Sequence, residues 1–301
     1  MRALRTNHGM ASDIAIIGAG PAGIAAALQL ARYEIFPFVY EMERPGGLLH
    51  EAGIVENYPG FPKGIEGPEL AVRFAATLED TRAVVYPHEV TAVDYGADVF
   101  LVTADGKEAE FSRLIVATGT KPRMLAGVEF EDDTNEEVLY GIEGVRGSAG
   151  QEIAIIGAGD AAYDWALTLA RKNDVTILQR RGKPRCNAAL LRRVRGSERI
   201  TVLEETTVSS ISRSDAGRIA LSLCGGGCLA RDRMTVDNVI AAVGREPRLE
   251  CMSKKLLGKA EELAAAGRLR FAGDVVNGLR RQTAIAAGDG VRAAMDLCAV
   301  E

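Results

Sequence analysis

One glycine-rich turn occurs twice in this chain. Ala15-Ile16-Ile17-Gly18-Ala19-Gly20-Pro21-Ala22-Gly23 returns as Ala154-Ile155-Ile156-Gly157-Ala158-Gly159-Asp160-Ala161-Ala162. Each apolar run reads as a buried parallel strand, and each Gly-x-Gly-x-x-Gly/Ala as the tight turn that opens a helix. At such a turn the backbone approaches a pyrophosphate closely and binds it at the helix N-terminus. The strands that follow end differently. Phe38-Val39-Tyr40 runs into Glu41, a carboxylate that accepts hydrogen bonds from ribose hydroxyls. Val175-Thr176-Ile177-Leu178 runs into Gln179-Arg180-Arg181, where the acid is replaced by two guanidiniums of the kind a ribose 2′-phosphate requires. The contrast implies FAD at Gly18, Gly20, Pro21, Ala22, Gly23 and Glu41. It implies NADPH at Gly157, Gly159, Asp160, Ala161, Gln179, Arg180 and Arg181, and also at Gly244, which closes a later apolar strand at a crossing between the two domains.

Residues 14–31 are uncharged and almost long enough to cross a bilayer. Four glycines or prolines among the first ten of them, and no interfacial aromatic anchors, favour strand–turn–helix over a membrane span. A chain of 301 residues holds two domains of ordinary size. A net charge of −5 speaks against a generally basic nucleic-acid binder. Residues 1–10 lack an apolar stretch of the secretory kind, and Met10 is an alternative start for a fold expected from about Asp13. Cys186, Cys224, Cys228, Cys251 and Cys298 form neither a disulfide framework nor a metal spacing, which suits the reducing cytoplasm. The expected fold class is α/β, with two Rossmann-like domains and one inserted into the other. Residues 11–121 and 244–301 form the FAD domain and 122–243 the NADPH domain. Residues 219–223 and 229–234 read as a hairpin around Gly225-Gly226-Gly227, residues 249–267 as helical, and residues 282–297 as a closing helix.

Further blocks carry a resemblance. They are Gly46-Gly47, Glu56-Asn57-Tyr58-Pro59-Gly60-Phe61, Ala117-Thr118-Gly119-Thr120-Lys121-Pro122-Arg123, Ala272-Gly273-Asp274 and Arg281-Gln282, in that order around the two fingerprints. The chain resembles the low-molecular-weight thioredoxin reductase group of flavoproteins over nearly its whole length. The resemblance implies that Glu41 binds the adenosine ribose of FAD. It places Gly46, Gly47, Leu48, Asn57, Ala117, Thr118 and Gly119 along the cofactor, and Gly273 and Asp274 at its ribityl chain. Arg281, Gln282 and Thr283 fall at its N1/O2 edge, where a helix N-terminus stabilises negative charge. Arg180, Arg181 and Arg185 match the cluster that clamps the 2′-phosphate. Homodimerisation through the FAD domains is expected on the same ground.

The departure is as informative. Disulfide reductases of this group carry Cys-x-x-Cys shortly before the second fingerprint. Here the stretch reads Tyr140-Gly141-Ile142-Glu143-Gly144, with Gly141 and Gly144 where the cysteines would fall. A dithiol relay needs one sulfur to attack and one to resolve. No catalytic side chain or metal site is therefore expected, the remaining task being to stack nicotinamide on isoalloxazine. A second branch, the thioredoxin-reductase-like ferredoxin/flavodoxin–NADP reductases, also lacks the pair, and residues 160–167 look closer to it. Its members usually extend past the last helix to cover one flavin face; here that face is expected to be open or covered by another element.

The leading expectation is an FAD enzyme moving electrons between NADP(H) and a one-electron carrier, ferredoxin or flavodoxin. Lys183, Arg192, Arg193 and Arg195 extend the basic cluster toward such an acidic partner. The alternatives are a thioredoxin-reductase-like enzyme that reduces a disulfide or a small-molecule acceptor directly from the flavin, a flavin redox sensor or subunit without turnover, and an oxidase. Cys224 and Cys228 read either as small residues at a turn or as a redox pair. His50 reads as a packing or polar residue, or as an acid near the flavin. His8 and His88 carry no assigned chemistry.

Overall fold

The structure is a computed structural model that describes residues 13–131, 133–225 and 233–299. It divides into two compact units. One comprises the described residues up to His50, Val55–Lys121 and those from Glu246 onward; the other comprises Glu51–Ile54 and Pro122–Arg245. Among the described residues no helix is long and apolar enough to cross a membrane.

In the first unit, the first fingerprint's apolar run is the strand Ile14–Ile17, buried along its whole length, and the helix after the turn is Pro21–Ala31. Pro21 suits the first helical position, because its fixed φ is already helical and its missing N–H would have no partner there. The strand is central in a parallel sheet ordered Leu269–Phe271, Arg113–Val116, Ile14–Ile17, Phe38–Tyr40, Val84–Tyr86. Uninterrupted apolar strands are what a sheet covered on both faces requires. One face packs against Pro21–Ala31 and the closing helix Thr283–Cys298, burying Ile16, Ile24, Leu30, Ile115 and Leu297. The other face carries the antiparallel meander Val90–Gly96, Val99–Ala104, Lys107–Phe111. It also carries two short helices, Lys254–Gly258 and Ala260–Ala265, so the helical expectation for residues 249–267 holds.

The second unit repeats the plan. Its sheet is ordered Val138–Leu139, Asn238–Ala241, Glu152–Ile156, Asp174–Gln179, Ile200–Glu204, all parallel. Along the fingerprint strand Ile153 and Ile155 face the helices Asp160–Leu169 and Ala188–Arg195, whereas Ala154 faces a second sheet, as a period of two dictates. That second sheet is Glu129–Phe130, Thr207–Arg213, Ile219–Cys224, Arg233–Val236. The strand Ile219–Cys224 pairs antiparallel with Arg233–Val236, Ile219 with Val236 through to Ser222 with Arg233, so the described second strand begins at Arg233, later than the expected 229. Residues 226–232, with Cys228, and residues 1–12, with His8, lie outside the described residues.

The closing helix contains a glycine that sequence reading passed over. A Cβ at Gly290 would lie 2.0 Å from the Ala22 carbonyl oxygen, so the helices Pro21–Ala31 and Thr283–Cys298 meet backbone to backbone. Gly290→Ala is expected to force them apart. Overpacking of this kind costs about 1–3 kcal/mol, and better helix propensity returns at most about 1 kcal/mol. The urea midpoint should fall; an unchanged midpoint would mean that the helices separate freely.

Candidate dinucleotide sites

The two fingerprints fold into the same local geometry. Gly18 has φ +100°, its N–H donates to the Tyr40 carbonyl at 2.8 Å, and a Cβ there would sit 2.4 Å from the Ala117 carbonyl oxygen. Gly157 has φ +145°, donates to the Leu178 carbonyl at 3.1 Å, and has the Ala242 carbonyl oxygen 2.3 Å from its absent Cβ. Only glycine meets both demands, positive φ and close backbone approach. Gly20 and Gly159 face open space, with no described heavy atom within 4 Å of a Cβ position, and each is the N-cap of a helix that has no side-chain cap. First-turn N–H groups left in this way are donors for a phosphate. A Cβ at Gly23 would lie 1.8 Å from the Gly18 carbonyl oxygen, whereas Ala162, fully buried, stands at the corresponding place in the second copy.

The strand ends then diverge. Ile17 pairs with Tyr40 and Ile156 with Leu178, which makes Glu41 and Gln179 equivalent positions. Glu41 is 9% exposed; its Oε2 accepts the Ala19 N–H at 2.7 Å and its Oε1 the Glu43 N–H at 3.0 Å. A carboxylate only accepts, so lone pairs remain for a ribose diol, while its charge disfavours a 2′-phosphate. Gln179 is fully buried and its Oε1 accepts the Tyr163 hydroxyl at 2.8 Å. Burial pushes the Tyr163 phenol up to about 12, so it remains a donor through the physiological range. The position equivalent to Glu41 is therefore neutral, and the exposed Arg180 and Arg181 that follow it directly make this strand end basic. Tyr163 escaped the sequence reading; a tyrosine among the apolar residues of a helix is the signal, since a buried hydroxyl needs a partner.

Around the first fingerprint, distant segments converge at the carboxyl edge of the sheet, where ligands of open α/β sheets bind. The Gly46 N–H donates to the Ala19 carbonyl at 2.8 Å, and a Cβ at Gly47 would lie 3.2 Å from the Gly20 Cα, so this turn lies against the fingerprint. Leu48 beside it is 38% exposed. Asn57 Nδ2 donates to Gln282 Oε1 at 2.7 Å, joining that segment to the N-cap of the closing helix, which also has no side-chain cap. Arg281 and Thr283 flank that N-cap. Gly273 has φ +80° and opens the short turn that carries Asp274. Ala117 and Thr118 follow the strand Arg113–Val116, and the Thr118 hydroxyl donates to the Arg248 carbonyl at 2.6 Å. Arg248 in turn donates its N–H to Gly119, a tie that the sequence did not suggest. His50 Nε2 lies 3.0 Å from the Pro45 carbonyl oxygen, consistent with the polar packing reading.

Around the second fingerprint, the Arg185 N–H donates to the Ala158 carbonyl at 2.8 Å, which brings the arginine loop to the turn. Asp160 begins the helix, with Ala161 after it. Gly244 has φ +112°, and its carbonyl accepts the Arg123 N–H at 3.0 Å. Open cradles at Gly20 and Gly159, a carboxylate at one strand end and guanidiniums at the other fit FAD in the first unit and NADP(H) in the second.

A family model described as pyridine nucleotide-disulphide oxidoreductase matches residues 12–270. The chain belongs to that family. The thioredoxin reductase of Mycolicibacterium smegmatis is 33% identical over 302 residues, covering 94% of each chain. That of Streptomyces coelicolor is 34% identical over 304 residues, covering 94% of this chain and 92% of the relative. The solved structure of Lactococcus lactis thioredoxin reductase matches with a TM-score of 0.84 at 28% identity, covering 95% of this chain and 98% of that one. This pyridine nucleotide-disulphide oxidoreductase is thus thioredoxin reductase-like, an NADPH-dependent flavoprotein oxidoreductase using FAD.

Within this oxidoreductase the stretch Tyr140-Gly141-Ile142-Glu143-Gly144 is shaped by a residue that the sequence reading missed. A Cβ at Gly141 would lie 2.8 Å from the carboxylate of Glu51, whose Oε2 accepts the Ile142 N–H at 2.5 Å. Gly144 faces open space. Three more hydrogen bonds hold the Glu51–Ile54 segment. Trp165 Nε1 donates to the Glu51 carbonyl at 3.0 Å, Arg146 Nη2 to the Ala52 carbonyl at 2.8 Å, and the Gly53 N–H to Asp164 Oδ2 at 2.7 Å. Among the described residues Cys186, Cys224 and Cys251 are free thiols, and Cys224 is exposed.

Proposed function

We propose that this chain is a thioredoxin-reductase-like enzyme that takes electrons from NADPH and delivers them to a disulfide or small-molecule acceptor directly from its flavin, without a protein dithiol. Bound FAD would supply the two-electron chemistry. Glu41, the Gly18–Gly23 turn and the N-terminus of the closing helix would hold it, and Arg180, Arg181 and Arg185 would select the phosphorylated coenzyme. One observation carries the reading: Gly141 and Gly144 stand where the redox cysteines of disulfide reductases would fall, and the Glu51 carboxylate fills the space of a side chain at position 141. The names of the relatives favour a disulfide acceptor over the ferredoxin or flavodoxin that led the sequence reading. A one-electron carrier keeps support from the exposed arginines at positions 180, 181, 185, 192, 193 and 195.

The test reduces the holoprotein anaerobically with one equivalent of NADPH. It then follows flavin reoxidation by a low-molecular-weight aromatic disulfide, a quinone, thioredoxin, ferredoxin and flavodoxin in separate mixes. Reoxidation by the disulfide or the quinone, with thioredoxin inert, is the expected pattern. Reoxidation by ferredoxin or flavodoxin alone would replace this reading with the carrier reading. A Cys224→Ser variant should react at the wild-type rate, because no thiol is on the route.

A further inference from the structure

Asp160 occupies an awkward place. It is the first residue of the helix Asp160–Leu169, where the N–H groups left uncapped would otherwise welcome a pyrophosphate. A carboxylate suits the helix dipole there but repels a bound phosphate. Its hydrogen bonds explain its presence. Oδ1 accepts the Asn187 N–H at 2.7 Å and Asn187 Nδ2 at 3.3 Å. Asn187 is in turn the N-cap of the helix Ala188–Arg195, its own Oδ1 accepting the N–H groups of Ala189 at 3.1 Å and Leu190 at 3.0 Å.

The loop between Gln179 and that helix carries Arg180, Arg181, Lys183 and Arg185, all exposed. Its far end is tied to the second fingerprint at two points: Arg185 N–H to Ala158, and Asn187 to Asp160. Long exposed arginines hold a phosphate well only when the backbone that carries them is fixed, because each mobile side chain otherwise loses rotamer entropy on binding.

We propose that Asp160 is a positioning residue for coenzyme selectivity: through Asn187 it pins the arginine loop to the fingerprint turn and presents the guanidiniums to an adenosine 2′-phosphate. This rests on the reading of the second unit as the NADP(H) site. Asp160 then acts as a hydrogen-bond acceptor, and its charge is dispensable.

The experiment measures binding of adenosine 2′,5′-bisphosphate and of adenosine 5′-monophosphate to FAD-loaded protein by titration calorimetry, independently of turnover. Wild type should favour the bisphosphate by about a hundredfold, the scale of a few charge-assisted hydrogen bonds. Asp160→Ala should reduce that ratio about tenfold, chiefly by weakening the bisphosphate. Asp160→Asn, which keeps an acceptor oxygen without the charge, should restore the wild-type ratio. Asp160→Ser, too short to reach Asn187, takes the place of the alanine variant if that one does not fold, and should behave as it does. A wild-type ratio retained by Asp160→Ala or Asp160→Ser, or lost by Asp160→Asn, overturns the positioning role. A wild type without preference overturns the NADP(H) site itself, a distinct outcome.

Discussion

Glu41→Ala is expected to yield protein that purifies colourless and melts at lower temperature than wild type. Two backbone N–H groups, those of Ala19 and Glu43, end on this carboxylate in a position that is 9% exposed. Truncation leaves the buried Ala19 N–H without its acceptor, at about 1–3 kcal/mol, whereas the Glu43 N–H, on an exposed residue, turns to water. The same oxygens are the acceptors proposed for the FAD ribose, so cofactor affinity should fall by about tenfold to a hundredfold beyond what the weakened turn costs. Flavin absorbance per mole of protein, with and without added FAD, is the measurement, alongside a thermal melt. Glu41→Gln keeps one acceptor oxygen but sets an amide against one of the two N–H groups, so it should fall between wild type and alanine. Full flavin content in Glu41→Ala would remove Glu41 from the site.

The second large effect concerns selectivity. Arg180→Ala combined with Arg181→Ala should raise the KM for NADPH about a hundredfold and leave that for NADH nearly unchanged. Hydrogen bonds to a charged group contribute about 1.5–3 kcal/mol each, and two guanidiniums are removed. Both side chains are exposed, so the variant should melt with the wild type. Steady-state kinetics with the two coenzymes, repeated at low and high salt, checks this, because a phosphate clamp at the surface weakens as salt screens it. Equal losses for NADPH and NADH would show that these arginines serve the unit in general and not the 2′-phosphate.

Much of the fold was legible because its signals are local. Uncharged strands, positive-φ glycines and Pro21 at a helix start act over a few residues, and both fingerprints, both parallel sheets and the closing helix lie where the pattern placed them. The strand-end contrast between Glu41 and Gln179-Arg180-Arg181 was legible for the same reason. What escaped involves partners far apart in the chain. Gly290 read as one more small residue in an alanine-rich helix, and only the approach of Ala22 shows why it cannot carry a methyl group. Gln179 reads as part of the coenzyme site with the two arginines, yet it is buried in the core, where its Oε1 accepts the Tyr163 hydroxyl. Asp160 looked like part of a phosphate turn, yet its carboxylate is engaged by Asn187.

Amino-acid order alone settled that two dinucleotide turns are present, that one strand end is acidic and the other basic, and that no sulfur pair precedes the second turn. These are matters of composition at short spacing, where backbone sterics and charge type leave few choices. Folding decided which oxygen each N–H finds. It put the Glu51 carboxylate into the space beside Gly141, although the two are ninety positions apart, and it turned Asp160 toward Asn187 across a loop. Such pairings depend on how closely packed layers bring side chains together, and hydrogen bonds decay within fractions of an ångström, so no local pattern encodes them.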